Sequence, residues 1–158
     1  MTDKTPTTPE MSPEEAAGRA LVARTSFEKE AVWLPQLAVQ HWNAGQMMIE
    51  GKTFTDCLIE GPAVLGIGEG VQFDGCNMGT ATDVRTLLLT PRGPKAVGVI
   101  GFKDCRFVRC RFMQIGFTGP EDTVAEMERG LISAREITDK AAQQAEQKAQ
   151  AEAEGKAS

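Results

Sequence analysis

Large apolar residues recur at every fifth position through the middle of this chain. They stand at Ile49, Phe54, Ile59 and Val64, in a shorter run at Phe73 and Met78, and again at Val97, Phe102, Phe107, Phe112 and Phe117. Two places before each lies a second position, mostly small or apolar: Met47, Lys52, Cys57 and Pro62; Val71 and Cys76; Ile100, Cys105, Cys110 and Ile115. An α-helix repeats its apolar stripe at three and four, and a simple strand alternates at two. A five-residue unit with two inward positions fits a four-sided coil that uses one unit per side. Stacked turns of such a coil hydrogen-bond along its axis at strand spacing, roughly 4.8 Å. One turn cannot bury its own inner face, so several must stack.

The pattern predicts a β-helical core over residues 47–119, with successive turns near 47–66, 67–96 and 97–119. Its expected interior is Ile49, Phe54, Cys57, Ile59, Val64, Phe73, Cys76, Met78, Phe102, Cys105, Phe107, Cys110, Phe112 and Phe117. Lys52 is out of character at an inward position. The frame breaks twice, across Gly66-Ile-Gly-Glu-Gly70 and again between Met78 and Val97. The second break holds Leu87-Leu88-Leu89, read as a short strand with one or two leucines buried. Pro91-Arg-Gly-Pro94 follows, so an inserted loop is expected near 83–95.

The flanks read differently. Residues 1–11 are polar and Pro/Thr-rich, the composition of a disordered leader. Ser12-Pro13-Glu14-Glu15 is a helix start, with Ser12 and Glu15 as a capping box and Pro13 at the first helical position. That helix is expected to run to about Glu30. Residues 31–46, interrupted by Pro35, are expected to cap the first turn, so that 12–46 is helix plus capping segment. After Gly119-Pro120 a C-terminal helix is predicted over 120–140, with a seam of Val124, Met127, Leu131 and Ala134. Residues 141–158 are a polar, Ala-rich tail, helical or disordered.

The adjacent units Cys105-Arg-Phe-Val-Arg and Cys110-Arg-Phe-Met-Gln state the repeat most plainly. Through them the chain resembles the pentapeptide-repeat family over about 70 residues. That resemblance implies a mainly β fold, a right-handed parallel β-helix of about three coils, here flanked by N- and C-terminal α-helices. A looser resemblance, in layout alone, is to bactofilins, polymer-forming proteins with a compact β-helix between flexible ends. Some pentapeptide-repeat proteins imitate DNA and occupy DNA gyrase, which needs a long acidic rod. Residues 49–118 carry eight basic and seven acidic side chains, so that mechanism does not carry over.

Charge adds one feature. The chain has a net charge of −5, yet residues 85–111 hold Arg85, Arg92, Lys95, Lys103, Arg106, Arg109 and Arg111 against Asp104 alone. Lys103, Arg106, Arg109 and Arg111 occupy outward positions. They form a candidate patch for an anionic partner such as nucleic acid, phospholipid or an acidic protein. The plainer reading is a solvated face, or pairing with the protein's own acids.

Other candidate chemistry is thin. The four cysteines already serve the repeat as small inward residues, and the C-x4-C spacing of Cys105 and Cys110 is not that of a zinc site. They read as reduced structural thiols. Gly66, Gly68 and Gly70 lack nucleotide-loop spacing. His41 has no placed nucleophile and reads as a packing residue. No catalytic group, metal or cofactor is expected. No apolar run approaches the roughly 18 residues of a membrane helix, and the N-terminus lacks the order of a secretory signal, so the cytoplasm is the expected compartment. The sequence thus points to a non-enzymatic scaffold that self-associates into a homo-oligomer through its β-helix and terminal helices, with the basic patch as the alternative.

Overall fold

A computed structural model describes residues 12–79, 81–94 and 96–156. The leader expected over 1–11 lies outside the described residues. The elements are α1 (Pro13–Ala23), β1 (Ser26–Glu28), β2 (Ala31–Trp33), α2 (Leu34–Asn43), β3 (Met48–Glu50), β4 (Thr53–Thr55), β5 (Leu58–Ile67), β6 (Gln72–Asp74), a 3-10 turn (Val84–Leu87), β7 (Val99–Lys103), β8 (Arg106–Val108), β9 (Arg111–Thr118) and α3 (Glu121–Lys156).

Every strand pairing is parallel. The inward residues therefore stack on their counterparts in four columns. In the first column, Phe27, Phe54, Phe107 and Phe73 lie ring on ring. Their successive centroids are 4.8, 4.9 and 5.2 Å apart and their planes tilt by 16° or less. The second column is Val32, Ile59 and Phe112. The third is Ile100, Leu65 and Phe117, closed by a bridge to Leu88. The fourth is Ile49, Phe102 and Ile67.

These columns do not follow chain order. Phe102 lies between Ile49 and Ile67, and Phe107 between Phe54 and Phe73. Conversely, Leu65 lies between Ile100 and Phe117. The two stretches 48–74 and 99–118 thus interleave, each occupying the gaps left by the other. The expected succession of turns, 47–66 then 67–96 then 97–119, is corrected by this order. The physical gain is clear in the burial. Phe102, Phe107 and Phe117 are wholly buried and Phe112 nearly so, because the most phenylalanine-rich stretch has neighbours on both sides.

Corners between strands use the left-handed backbone. Gly51, Asp56, Asp104, Arg109 and Gln114 all have positive φ, from 50° to 68°. Each immediately precedes an inward corner residue: Lys52, Cys57, Cys105, Cys110 and Ile115. A non-glycine residue pays roughly 1–2 kcal/mol for this conformation, which the packed columns on either side impose.

Several expectations need correction. Helix outweighs strand among the described residues, so the fold is mixed α/β with parallel sheets, not mainly β. Two causes are the Ala-rich tail, which is helical through Lys156, and α2. Pro35 does not interrupt the apolar run; it sits in the first turn of α2, where its missing N–H has no partner to lose. The first helix stops at Ala23 instead of Glu30, and β1 and β2 follow. Val64 is only half-buried: the register shifts between Glu60 and Ala63, and Leu65 takes the inward place. Phe73, Cys76 and Met78 are also half-buried, because their layer is outermost. Val97 is fully exposed. The Leu87–Leu89 stretch forms no strand, but Leu87 and Leu88 do pack on the core.

Helices cover both ends. The Ser12–Glu15 capping box forms as expected, with Ser12 Oγ accepting from the Glu15 amide at 3.1 Å. Leu34, Leu37, Ala38 and His41 of α2 are buried. At the other end, Met127 of α3 packs on the core.

Phe107 touches four other phenylalanine rings. Phe107→Ala is expected to cost about 3–5 kcal/mol, read as a lower urea midpoint, and Phe107→Leu clearly less. His41 Nδ1 donates to the Leu37 carbonyl at 2.7 Å, while Nε2 is buried without a partner. Burial pushes the His41 pKa below its usual 6.5. The folded state therefore holds the ring neutral. Its contribution is complete above pH 6.5 and is lost as pH falls toward the lowered value. A urea midpoint that drops between about pH 7.5 and 5.5, and drops less in His41→Leu, is the expected outcome.

Candidate functional site

The structure places the four predicted basic residues on neighbouring strands and the corner between them. Lys103 ends β7, Arg106 begins β8, Arg109 forms the β8–β9 corner and Arg111 begins β9. Arg106 and Arg111 occupy equivalent outward positions five residues apart, as the repeat requires. The patch is not a free cluster, however. Arg106 pairs with Asp74 at 2.8 Å, and Arg109 with Asp56 at 2.8 Å. The Arg109 guanidinium, hydrogen-bonded to both carboxylate oxygens, holds the Asp56 pKa below the usual range. Both pairs link stacked layers, and both are exposed, so their chief effect is on local field and not on stability. Lys103 faces Glu50 across the β3–β7 pairing. Among the described residues, neither Lys103 nor Arg111 forms an ion pair.

Inward corners share one chemistry. Cys57 donates its S–H to the Phe27 carbonyl, Cys105 to Ile49, Cys110 to Phe54 and Cys76 to Phe107, each at 3.3 Å. Every one of these bonds reaches into the neighbouring layer. Lys52 follows the same rule by a longer route. Its layer meets the end of α1, and its buried Nζ donates to the Val22 carbonyl at 2.8 Å and to the Arg24 carbonyl. A cation there satisfies terminal carbonyls and complements the helix dipole. Burial lowers the Lys52 pKa. All four cysteines are free thiols; Cys57, Cys105 and Cys110 are buried, and Cys76 is half-buried.

Two open clefts lie between α3 and the outermost layer. One, of about 570 Å³, is lined by Cys76 to Gly79, Ala81, Leu131, Arg135 and Asp139 among others. The other, of about 460 Å³, runs beside Phe73, Cys76, Met78, Met127 and Leu131. Arg135 fastens α3 to the inserted loop by donating to the Ala81 and Thr82 carbonyls, both at 2.5 Å. In that loop Arg85 pairs with Asp83 and pulls its carboxyl pKa down to about 2.

Sequence reasoning missed the N-terminal layer. Phe27, Val32 and Leu37 are themselves five apart, and that spacing was the available signal. It also missed the exposed Trp33, which lies beside Glu60 and Met113 along one line of strands. No His/Cys/Asp/Glu grouping suited to a metal occurs among the described residues. None of their helices is long and apolar enough to cross a membrane. No family model matches the chain, and no match is found among curated proteins or solved structures.

Charge at the corner makes a directional prediction. Neutralising the internal partners, as Asp56→Asn with Asp74→Asn, should free Arg109 and Arg106 and lengthen retention on a phosphate-bearing resin. Lys103→Glu with Arg111→Glu should shorten it. Both shifts should shrink as salt is raised.

Proposed function

We propose that this protein is a non-enzymatic scaffold that self-associates through α3. The observation that carries the reading is the course of that helix. It has 36 residues, roughly 54 Å at 1.5 Å per residue. Its first turns lie half-buried against the outermost layer, while Ile132 to Ala153 are all exposed. The seam that meets the body continues without a break: Met127, Leu131, Ala134, Thr138, Ala141 and Ala145 alternate steps of four and three. That is the spacing of a helix-pairing seam. Ile137 stands alongside it and is 69 % exposed. A second copy of the same helix would cover this face, and small side chains along it favour close approach.

The rest of the molecule, in this reading, is the rigid base from which the helix projects. We take the four interleaved columns to be a short β-helix of the pentapeptide-repeat kind, with two stretches of chain wound together. Parallel pairing throughout, the five-residue corner spacing and the stacked phenylalanines support that assignment. The binding of an anionic partner at Lys103 and Arg111 is a second reading, supported by the absence of ion pairs at those two side chains among the described residues.

Light scattering across a concentration series tests the proposal. The expected mass at high micromolar concentration is a multiple of the 17.0 kDa chain. Ile137→Glu combined with Ala141→Glu should return it to a single chain without altering the urea midpoint. A native chain that stays monomeric throughout would refute self-association.

A further inference from the structure

Cys76 differs from the other thiols in being reachable. It is the one half-buried cysteine, and it forms part of the wall of both clefts beneath α3. Cys110 lies in the adjoining layer of the same corner. The register there is fixed: Asn77 pairs with Arg111, the Asn77 amide donates to the Cys110 carbonyl at 2.9 Å, and the Phe112 amide donates to the Asn77 carbonyl at 2.9 Å. Neighbouring parallel strands are roughly 4.8 Å apart, inside the Cα separation of about 4.4–6.8 Å that a disulfide spans.

We propose that Cys76 is a peroxide-reactive thiol and that Cys110 resolves it into a disulfide joining the outermost layer to the one beneath. The Cys76 thiolate attacks one oxygen of hydrogen peroxide; an S–O bond forms, the O–O bond breaks, and hydroxide leaves. The Cys110 sulfur then attacks the resulting sulfenic acid. An S–S bond forms, the S–O bond breaks, and the Cys110 proton leaves with the oxygen as water. Hydroxide takes up the proton released when Cys76 ionised. Two thiols are oxidised and one peroxide is reduced to two waters.

The surroundings favour this order of events. The Cys110 thiol beside it holds the Cys76 pKa down to about 7, while that of Cys110 is raised. Cys76 is thus the readier of the two to ionise to the nucleophilic thiolate, and Cys110 keeps the proton it must deliver. Cys57 continues the same column, but it is buried beneath Cys110. The tie would matter where it forms, since among the described residues β6 pairs only with β8 and has no strand beyond it.

The full-length native protein, treated with dilute hydrogen peroxide, is read by intact mass and by peptide mapping. The expected result is loss of two hydrogens, one Cys76–Cys110 linked peptide, and oxidation of Cys76 about tenfold or more ahead of Cys57 and Cys105. Amide exchange across Gln72–Asp74 should slow after oxidation. In Cys110→Ser, Cys76 should stop at sulfenic acid, gaining one oxygen and reacting with dimedone. Cys76→Ser should leave Cys110 reduced. Oxidation of the wild-type thiols at equal rates, or a map showing any other pairing, would overturn the proposal, and neither readout depends on the variants folding.

Discussion

The stack of Phe27, Phe54, Phe107 and Phe73 is the contact on which the other parts of this molecule depend. Four rings nearly parallel, each about one strand spacing from the next, fix the register of four strands at once. A slip of one residue in any of them would turn its phenylalanine outward. It would also move the corner donors off their carbonyls, because Cys57, Cys110 and Cys76 bond to the carbonyls of Phe27, Phe54 and Phe107 themselves. Packing and hydrogen bonding therefore specify the same alignment, and neither can be altered alone.

Interleaving follows from where these rings are most abundant. The stretch from Phe102 to Phe117 has four phenylalanines at the fifth-residue positions, and the stretch from Phe73 to Met78 has one. Stacking in chain order would leave the richer stretch at an end, with one face of each ring uncovered. Interleaved, it is covered on both sides where Phe102 and Phe107 lie between passes of 48–74 and where Phe117 lies between Leu65 and Leu88, and the poorer stretch takes the exposed edge. At roughly 1.5–3 kcal/mol for full burial of a large apolar side chain, that exchange favours the interleaved order by several kcal/mol.

This also explains what could be read from the chain and what could not. The five-residue period identifies inward side chains because it is a property of each strand and corner taken singly. Ten of the fourteen residues expected inside are buried; Phe73, Cys76 and Met78 belong to the outer layer, and Val64 falls just after the register shift that follows Glu60.

 A local period carries no information on which stretch becomes whose neighbour, and so the order of layers was not legible. Lys52 looked like a fault in the repeat for the same reason. Its partner is the end of a helix thirty residues earlier, and no local pattern reports that. The basic cluster was legible as a cluster, but Asp56 and Asp74, which answer two of its charges, come from distant stretches brought alongside by the stacking.

The two ends of the stack are finished with unequal care. At the β1 end, Phe27 is wholly buried, Arg24 lies over its ring at 4.2 Å, and α2 contributes four buried residues. At the β6 end, Phe73 and Met78 stay half-buried under α3, with clefts on either side of the contact. The seam of α3 weakens as it leaves the body, from Met127 and Leu131 to alanines, and Arg135 is its last anchor among the described residues. Regions with few buried apolar contacts open at lower free energy than the core they rest on. Opening at α3 therefore does not require the phenylalanine columns to part. A cover seated this lightly protects the open strand edge while leaving Cys76 and the free length of the helix within reach of other molecules.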